Sequence, residues 1–138
     1  MVDFAIALET TPSLATAFGR LQRLVGAPEK SWNHTCTPTV IDRPITVSIE
    51  TKKLFGNAEE ALVQLSVWSA AHFERLQLLA RETEVELHVD YPSPVLPLIV
   101  VVGPLWTLYA ATCDDRNVKV CTNCSTVCSA RSSCLNSH

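Results

Sequence analysis

The sequence predicts an α/β (α+β) domain on three observations. Residues 2–8 and 45–53 carry strand patterning rich in β-branched and apolar side chains. Two other stretches, 12–25 and 58–80, place apolar residues at helical spacing. Two apolar runs, 96–102 and 105–111, follow, split by Gly103-Pro104 into pieces of strand length. At 138 residues and 47% apolar composition, the chain has material for one small domain with a real core.

In the first strand Phe4, Ile6 and Leu8 share one face and Asp3, Ala5 and Ala7 the other. Asp3 is either a solvated strand end or a buried acid that needs a partner. Thr11 is placed to cap the first helix with Pro12 at its first position, and Gly26 with Pro28 ends it. Leu14, Ala17, Phe18, Leu21, Leu24 and Val25 form its apolar stripe, a packing surface. Residues 27–44 are a long connection with three prolines and the run Trp32-Asn33-His34-Thr35-Cys36. His34 with Cys36 is a ligand pair, a nucleophile with its base, or a loop histidine bonded locally, and neither an orienting acid nor a second ligand pair stands at recognisable spacing.

After the central strand, Leu54-Phe55-Gly56 makes a turn, and Asn57 with Glu60 three residues on has the form of a capping box. The helix that follows is expected to reach about Leu79 or Ala80, with Ala61, Leu65, Trp68, Leu76 and Leu79 in its stripe and Leu62 and Val63 widening it. Gln64 lies beside that buried side. It either satisfies a neighbouring backbone group or reaches the end of the preceding strand. Val85, Leu87 and Val89 alternate as a short edge strand would.

Eleven basic residues against fourteen acidic give a net charge of −3. No basic run announces nucleic acid, so such a partner has to be held by a few local cations or through a metal. The start of the chain lacks the basic and long apolar regions of a signal peptide, which points to an intracellular protein, cytoplasmic or nuclear, with reduced thiols. Residues 95–111 are long and apolar enough to raise a membrane span, but Pro97 and Gly103-Pro104 punctuate them, and two buried strands are the expectation. From residue 113 on, the chain turns Ser-, Thr- and Cys-rich and is expected to be a disordered tail to residue 138, leaving 1–112 as the domain. Cys121 and Cys124 have the spacing of half a zinc knuckle, but Cys128 follows too soon to complete it.

The chemistry concentrates at the end of the central strand. Glu50 and Lys52 are two apart, so they emerge on one face while Thr51 points away. A carboxylate there can hold a divalent cation, and an ammonium beside it can steady a phosphate or take a proton. About one acid-x-Lys triplet is expected by chance in a chain of this length, so the pair needs its surroundings.

Those surroundings are Val2-Asp3-Phe4, Asn33-His34-Thr35, Pro44-Ile45-Thr46-Val47-Ser48-Ile49-Glu50-Thr51-Lys52-Lys53, Ala61-x2-Gln64-Leu65-x2-Trp68-x2-Ala71-His72-Phe73, and Leu96-Pro97-Leu98-Ile99-Val100-Val101-Val102-Gly103-x2-Trp106. Together they resemble the fungal PD-(D/E)XK nuclease-like domain, of the restriction-endonuclease-like superfamily, over residues 2–112. The resemblance implies a mixed β-sheet flanked by helices, in the order helix, three antiparallel strands, helix, strand. It implies that Asp3, Glu50, Lys52 and Gln64 form a catalytic set acting on DNA or RNA. Mg²⁺ would be held by Asp3, Glu50 and the Thr51 carbonyl, with Lys52 orienting or activating the attacking water. Val2 stands where the family has Pro, and 46 residues separate Asp3 from Glu50. The chain starts at the superfamily's second strand, so the core is expected to be an N-terminally truncated one that lacks the first helix and strand and leaves a sheet edge unpaired.

Three functions follow as expectations. One is Mg²⁺-dependent hydrolysis of nucleic-acid phosphodiester bonds. The second is a non-catalytic module that keeps the fold for binding or regulation. The third is a thiol or zinc protein run by its tail.

Overall fold

The computed structural model describes residues 2–24, 30–82, 94–114 and 117–122. Its elements are β1 (Phe4–Ala7), α1 (Pro12–Leu24), β2 (Ile45–Lys52), α2 (Ala58–Glu82), β3 (Leu96–Val102), β4 (Leu105–Asp114) and β5 (Asn117–Cys121). The five strands make one sheet in the order β1-β2-β3-β4-β5. β1 runs antiparallel to β2, β2 parallel to β3, and the remaining pairs are antiparallel. The parallel pair requires a crossover, and α2 supplies it. This is the mixed sheet with helices that the sequence implied.

Local chemistry accounts for the boundaries. Leu14 N–H donates to Thr11 Oγ1 at 3.2 Å, so Thr11 caps α1 as its position predicts. Asn57 Oδ1 accepts from Glu59 N–H at 2.9 Å and caps α2. The expected capping box is not completed, because Glu60 turns its carboxylate to Lys52 instead, with Oε1 3.5 Å from Nζ. Gly103, at φ 55°, reverses the chain between β3 and β4, so the apolar stretch 95–111 is two strands. Among the described residues no helix is long and apolar enough to cross a membrane.

α2 covers one face of the sheet. Ala61, Leu65 and Phe73 pack with Leu98, Val100, Ala111 and Val2, and partly buried Trp68 and Leu76 join them. Leu65 and Leu98, at 0% and 1% exposure, each contribute about 1.5–3 kcal/mol by burial. Trp68 Nε1 donates to Ser48 Oγ at 3.0 Å and ties the helix to the central strand. Val63 does not widen the stripe. It is 63% exposed, because at helical spacing it falls on the face away from the sheet. α1 packs on the far end of α2 through Leu21 and Leu79, with Phe18 against Trp32.

Two other expectations change. The division at residue 112 falls inside β4, and β5 continues the sheet to Cys121. Val118 and Val120 alternate toward the α2 side, where they pack on the core. α2 runs past Ala80 to Glu82. The edge strand proposed at 85–89 and the cysteines from 124 on lie outside the described residues. Cys113 and Cys121 form no disulfide.

Candidate active site

β2 is held at both ends, and that is what aims its side chains. At its start, buried Asn33 spends its side chain on the backbone. Nδ2 donates to the carbonyls of Val40 (2.6 Å) and Arg43 (2.9 Å), and Oδ1 accepts Ile45 N–H at 2.8 Å. At its end, Lys52 O accepts Gly103 N–H at 3.2 Å. Gly56 packs so closely that a Cβ there would lie 2.8 Å from Lys52 Cβ and from Lys53 O. Any larger residue at 56 would push the strand end aside.

From this strand Glu50 and Lys52 emerge on the α2 face, as their spacing predicts. Glu50 is 3% exposed. Its Oε1 lies 3.3 Å from Lys52 Nζ, while its buried Oε2 has no hydrogen-bond partner. Gln64, nearly two turns into α2, accepts from Lys52 Nζ through Oε1 at 2.8 Å. The sequence left Gln64 between a backbone role and the strand end, and the structure turns it to the lysine. Glu60 is the acid that sequence reasoning missed. Its signal was present, four residues before Gln64 on the same helical face, but the capping pattern explained it away. Partial burial works against the Lys52 charge, and the hydrogen bond to Glu50 and the attraction of Glu60 and Glu50 outweigh it, so its pKa is raised above the ordinary lysine value.

Asp3 stands at the head of β1, exposed, just before Phe4, which pairs with Ile49. Its Oδ2 accepts from the Thr51 hydroxyl at 2.6 Å and the Thr51 amide at 2.9 Å. It is the solvated strand end of the two readings, and it continues the β1–β2 ladder with a side-chain acceptor. Those two bonds from Thr51, hydroxyl first, hold its pKa below the usual carboxylate value against a small desolvation cost, with help from the Lys52 charge. Lys52, Glu50 and Gln64 are therefore in direct contact. Asp3 makes no hydrogen bond to any of them: it is held by Thr51, whose side chain points to the other face of β2, and only the field of Lys52 links it to the group. Among the described residues no group of three or more His, Cys, Asp or Glu is gathered as a metal cage. The oxygen donors here still fit a hard divalent cation, since Glu50 Oε2 is buried without a donor and such an atom is costly unless a cation or donor meets it.

His34 and Cys36 do not form the alternative nucleophilic site. Cys36 is exposed, whereas the His34 ring sits edge-on to Trp68 at 4.1 Å and 5.2 Å from His72. Both His34 ring nitrogens are buried without partners, so it is not a locally bonded loop histidine either. Burial first, and then the neighbouring His72, lower its pKa to about 4. A cavity of about 910 Å³ opens beside His34, between the C-terminal half of α2 and the β4–β5 hairpin, and none of Asp3, Glu50, Lys52 or Gln64 lines it.

A mixed sheet crossed by one long helix, with an acid-x-Lys pair at the end of its central strand and a helix glutamine on the lysine, defines a nuclease-like α+β domain. The chain matches the family model of the PD-(D/E)XK nuclease superfamily over residues 1–134 and belongs to that superfamily. Searches of curated proteins and of solved structures found no match to it.

Proposed function

We propose that this chain is a metal-dependent phosphodiesterase domain acting on nucleic acid, of the fungal branch of its superfamily. Superfamily membership supports a nuclease-like domain with a nucleic-acid partner. The observation that carries the catalytic reading is Glu50, a buried carboxylate with one oxygen on Lys52 and the other unpartnered at the end of a strand. Mg²⁺ is the cation such oxygens suit, with Glu50, Asp3 and the Thr51 carbonyl as the groups that would hold it. When bound, the ion supplies charge stabilisation for the phosphate and its leaving oxygen.

The side chains divide the remaining work. With its pKa raised, Lys52 is protonated at neutral pH, so it supplies a donor and a positive charge to orient water and steady the phosphate rather than taking up a proton. Gln64 positions that ammonium by accepting one of its protons. Thr51 holds Asp3 at the head of β1. With the chain at −3 overall, these few cationic contacts and the metal have to supply most of the phosphate affinity.

The test offers the protein single- and double-stranded DNA and RNA with Mg²⁺ or Mn²⁺. Cleavage that disappears in Glu50→Ala and Lys52→Ala is the expected result. No cleavage, or cleavage that survives both substitutions, overturns the catalytic reading.

A second reading is a non-catalytic binding or regulatory module. It is favoured by the commitment of Asp3 Oδ2 to Thr51 and of Lys52 to two carboxylates. Calorimetric titration with Mg²⁺ separates the two. Heat of binding that is lost in Asp3→Asn supports the metal site, and its absence in the wild type supports the module.

A further inference from the structure

Just past the end of β2, beside the candidate active site, stands a side chain that packing does not explain. Gly56 N–H donates to Lys53 O at 2.7 Å and closes a turn over residues 53–56. Phe55 is third in that turn at φ 66°, the position where such turns take glycine or asparagine. For a bulky residue this backbone is a genuine outlier. No burial compensates it, since Phe55 is 94% exposed. Strain of this kind clusters at active sites and ligand clamps.

The turn fixes where the ring stands relative to Lys52. A Cβ on Gly56 would lie 2.8 Å from Lys52 Cβ, so the residue after Phe55 packs against the root of the lysine side chain. Leu54, the residue before it, sits so close to Gly103 that a Cβ there would come within 2.7 Å of Leu54 Cδ1. The turn therefore rests on β2 and on the β3–β4 connection at once. Lys53 is exposed between the site lysine and the ring. The segment presents, in order, the ammonium of the site, a solvated ammonium and an open aromatic face. Cations along a backbone with an aromatic beside them are the means by which single strands are bound without regard to sequence. Stacking also adds affinity that does not depend on charge, which a chain of net charge −3 has little of to offer a phosphate backbone.

We propose that Phe55 is a base-stacking residue and that the substrate of this site is single-stranded nucleic acid, with one base on the Phe55 ring while a neighbouring phosphate meets Lys52. The inference rests on the nucleic-acid reading of the site and narrows it. In a duplex each base face is covered by its neighbours, whereas the unstacked bases of a single strand are free to meet an aromatic ring.

Fluorescence anisotropy of the full chain with a short labelled strand is the test, with Ca²⁺ in place of Mg²⁺ and the strand checked as uncut. Phe55→Ala should weaken binding roughly tenfold and leave the salt slope unchanged, because stacking releases no counterion. Phe55→Gly, which relieves the backbone, should bind as weakly as Phe55→Ala, and Phe55→Trp as well as the wild type. The same strand annealed to its complement should not distinguish Phe55→Ala from the wild type. Strands with one base removed at successive positions complete the test. At one position the abasic site should cost the wild type roughly tenfold and Phe55→Ala nothing further, which couples that base to the ring. Single-strand binding that survives Phe55→Ala, an equal loss on the duplex, or the absence of any coupled position overturns the assignment of Phe55 and leaves the nucleic-acid reading standing. A wild type that binds neither form overturns both.

Discussion

Asn33→Ala is the substitution whose effect the structure fixes most closely. Asn33 is 2% exposed, and its side chain satisfies three backbone groups: the carbonyls of Val40 and Arg43 and the N–H of Ile45. Truncation leaves all three without that partner. A buried polar group left unsatisfied costs about 1–3 kcal/mol. Water reaching the carbonyls, which lie in part-buried surroundings, offsets some of this, so the net loss is about 3–4 kcal/mol. Asn33→Asp sharpens the point. It keeps the acceptor for Ile45 N–H but turns a carboxylate oxygen toward two carbonyls, and should cost at least as much at neutral pH. Urea denaturation followed by tryptophan fluorescence measures both. A loss below about 1 kcal/mol for Asn33→Ala, or an Asp variant clearly more stable than the Ala one, would refute the view that this side chain fastens the 30–44 connection to β2.

Three more predictions rest on separate observations. His34 is neutral in the folded state with its pKa lowered to about 4, while an unfolded histidine titrates near 6.5. Stability should therefore be full above pH 6.5 and decline as the pH falls from there to about 4, by roughly 1–2 kcal/mol once the partial exposure of the residue is allowed for. His34→Phe, which keeps a ring against Trp68, should flatten that slope in acid titrations of stability, and an unchanged slope would exclude His34 as its source. Phe55 holds φ 66° with its side chain 94% exposed, a conformation that costs a bulky residue about 1 kcal/mol and glycine almost nothing. Phe55→Gly should raise the denaturation midpoint, and a fall would show that the ring makes contacts of its own. Gly103→Ala combines φ 55° with a Cβ 2.7 Å from Leu54 Cδ1 and should cost about 1–2 kcal/mol, against no change if the turn simply relaxes.

Much of this fold was legible because its signals are local. Thr11-Pro12 and Asn57 name the helix starts, Gly103-Pro104 names the hairpin, and the spacing of Glu50 and Lys52 fixes their common face. What escaped was set by distance. Val118 and Val120 looked like stray apolar residues in a Cys-rich tail, because only β4, paired alongside, gives their alternation a surface to meet. Asn33 looked like a loop residue because its three partners lie seven, ten and twelve positions away. Asp3 was legible as an acid near the site, but its choice of Thr51 over Glu50 depends on how β1 ends, and no periodicity encodes that. Glu60 was assigned to the wrong neighbour for a similar reason. A cap and an ion pair four residues before Gln64 ask for the same residue type, and only the placement of β2 under α2 decides between them.

That choice by Glu60 has a consequence for the proposed chemistry. Lys52 Nζ faces Glu50 Oε1 at 3.3 Å, Gln64 Oε1 at 2.8 Å and Glu60 Oε1 at 3.5 Å. An ammonium has three protons, and a phosphate has to take one of them. Glu50 is buried and fixed, and Gln64 makes the shortest contact. Glu60 is the longest contact and its side chain is 60% exposed, so it is the one an incoming phosphate displaces. Glu60→Ala should therefore tighten binding of a short oligonucleotide, on the order of threefold, at low salt, with the gain shrinking as salt rises. Gln64→Ala should act in the other direction, since it removes the acceptor that holds the ammonium over Glu50. Fluorescence anisotropy across a salt series reads both. If Glu60→Ala weakened binding or left it unchanged at low salt, Lys52 would not be the group that meets the phosphate, and its contacts with the two acids would be structural.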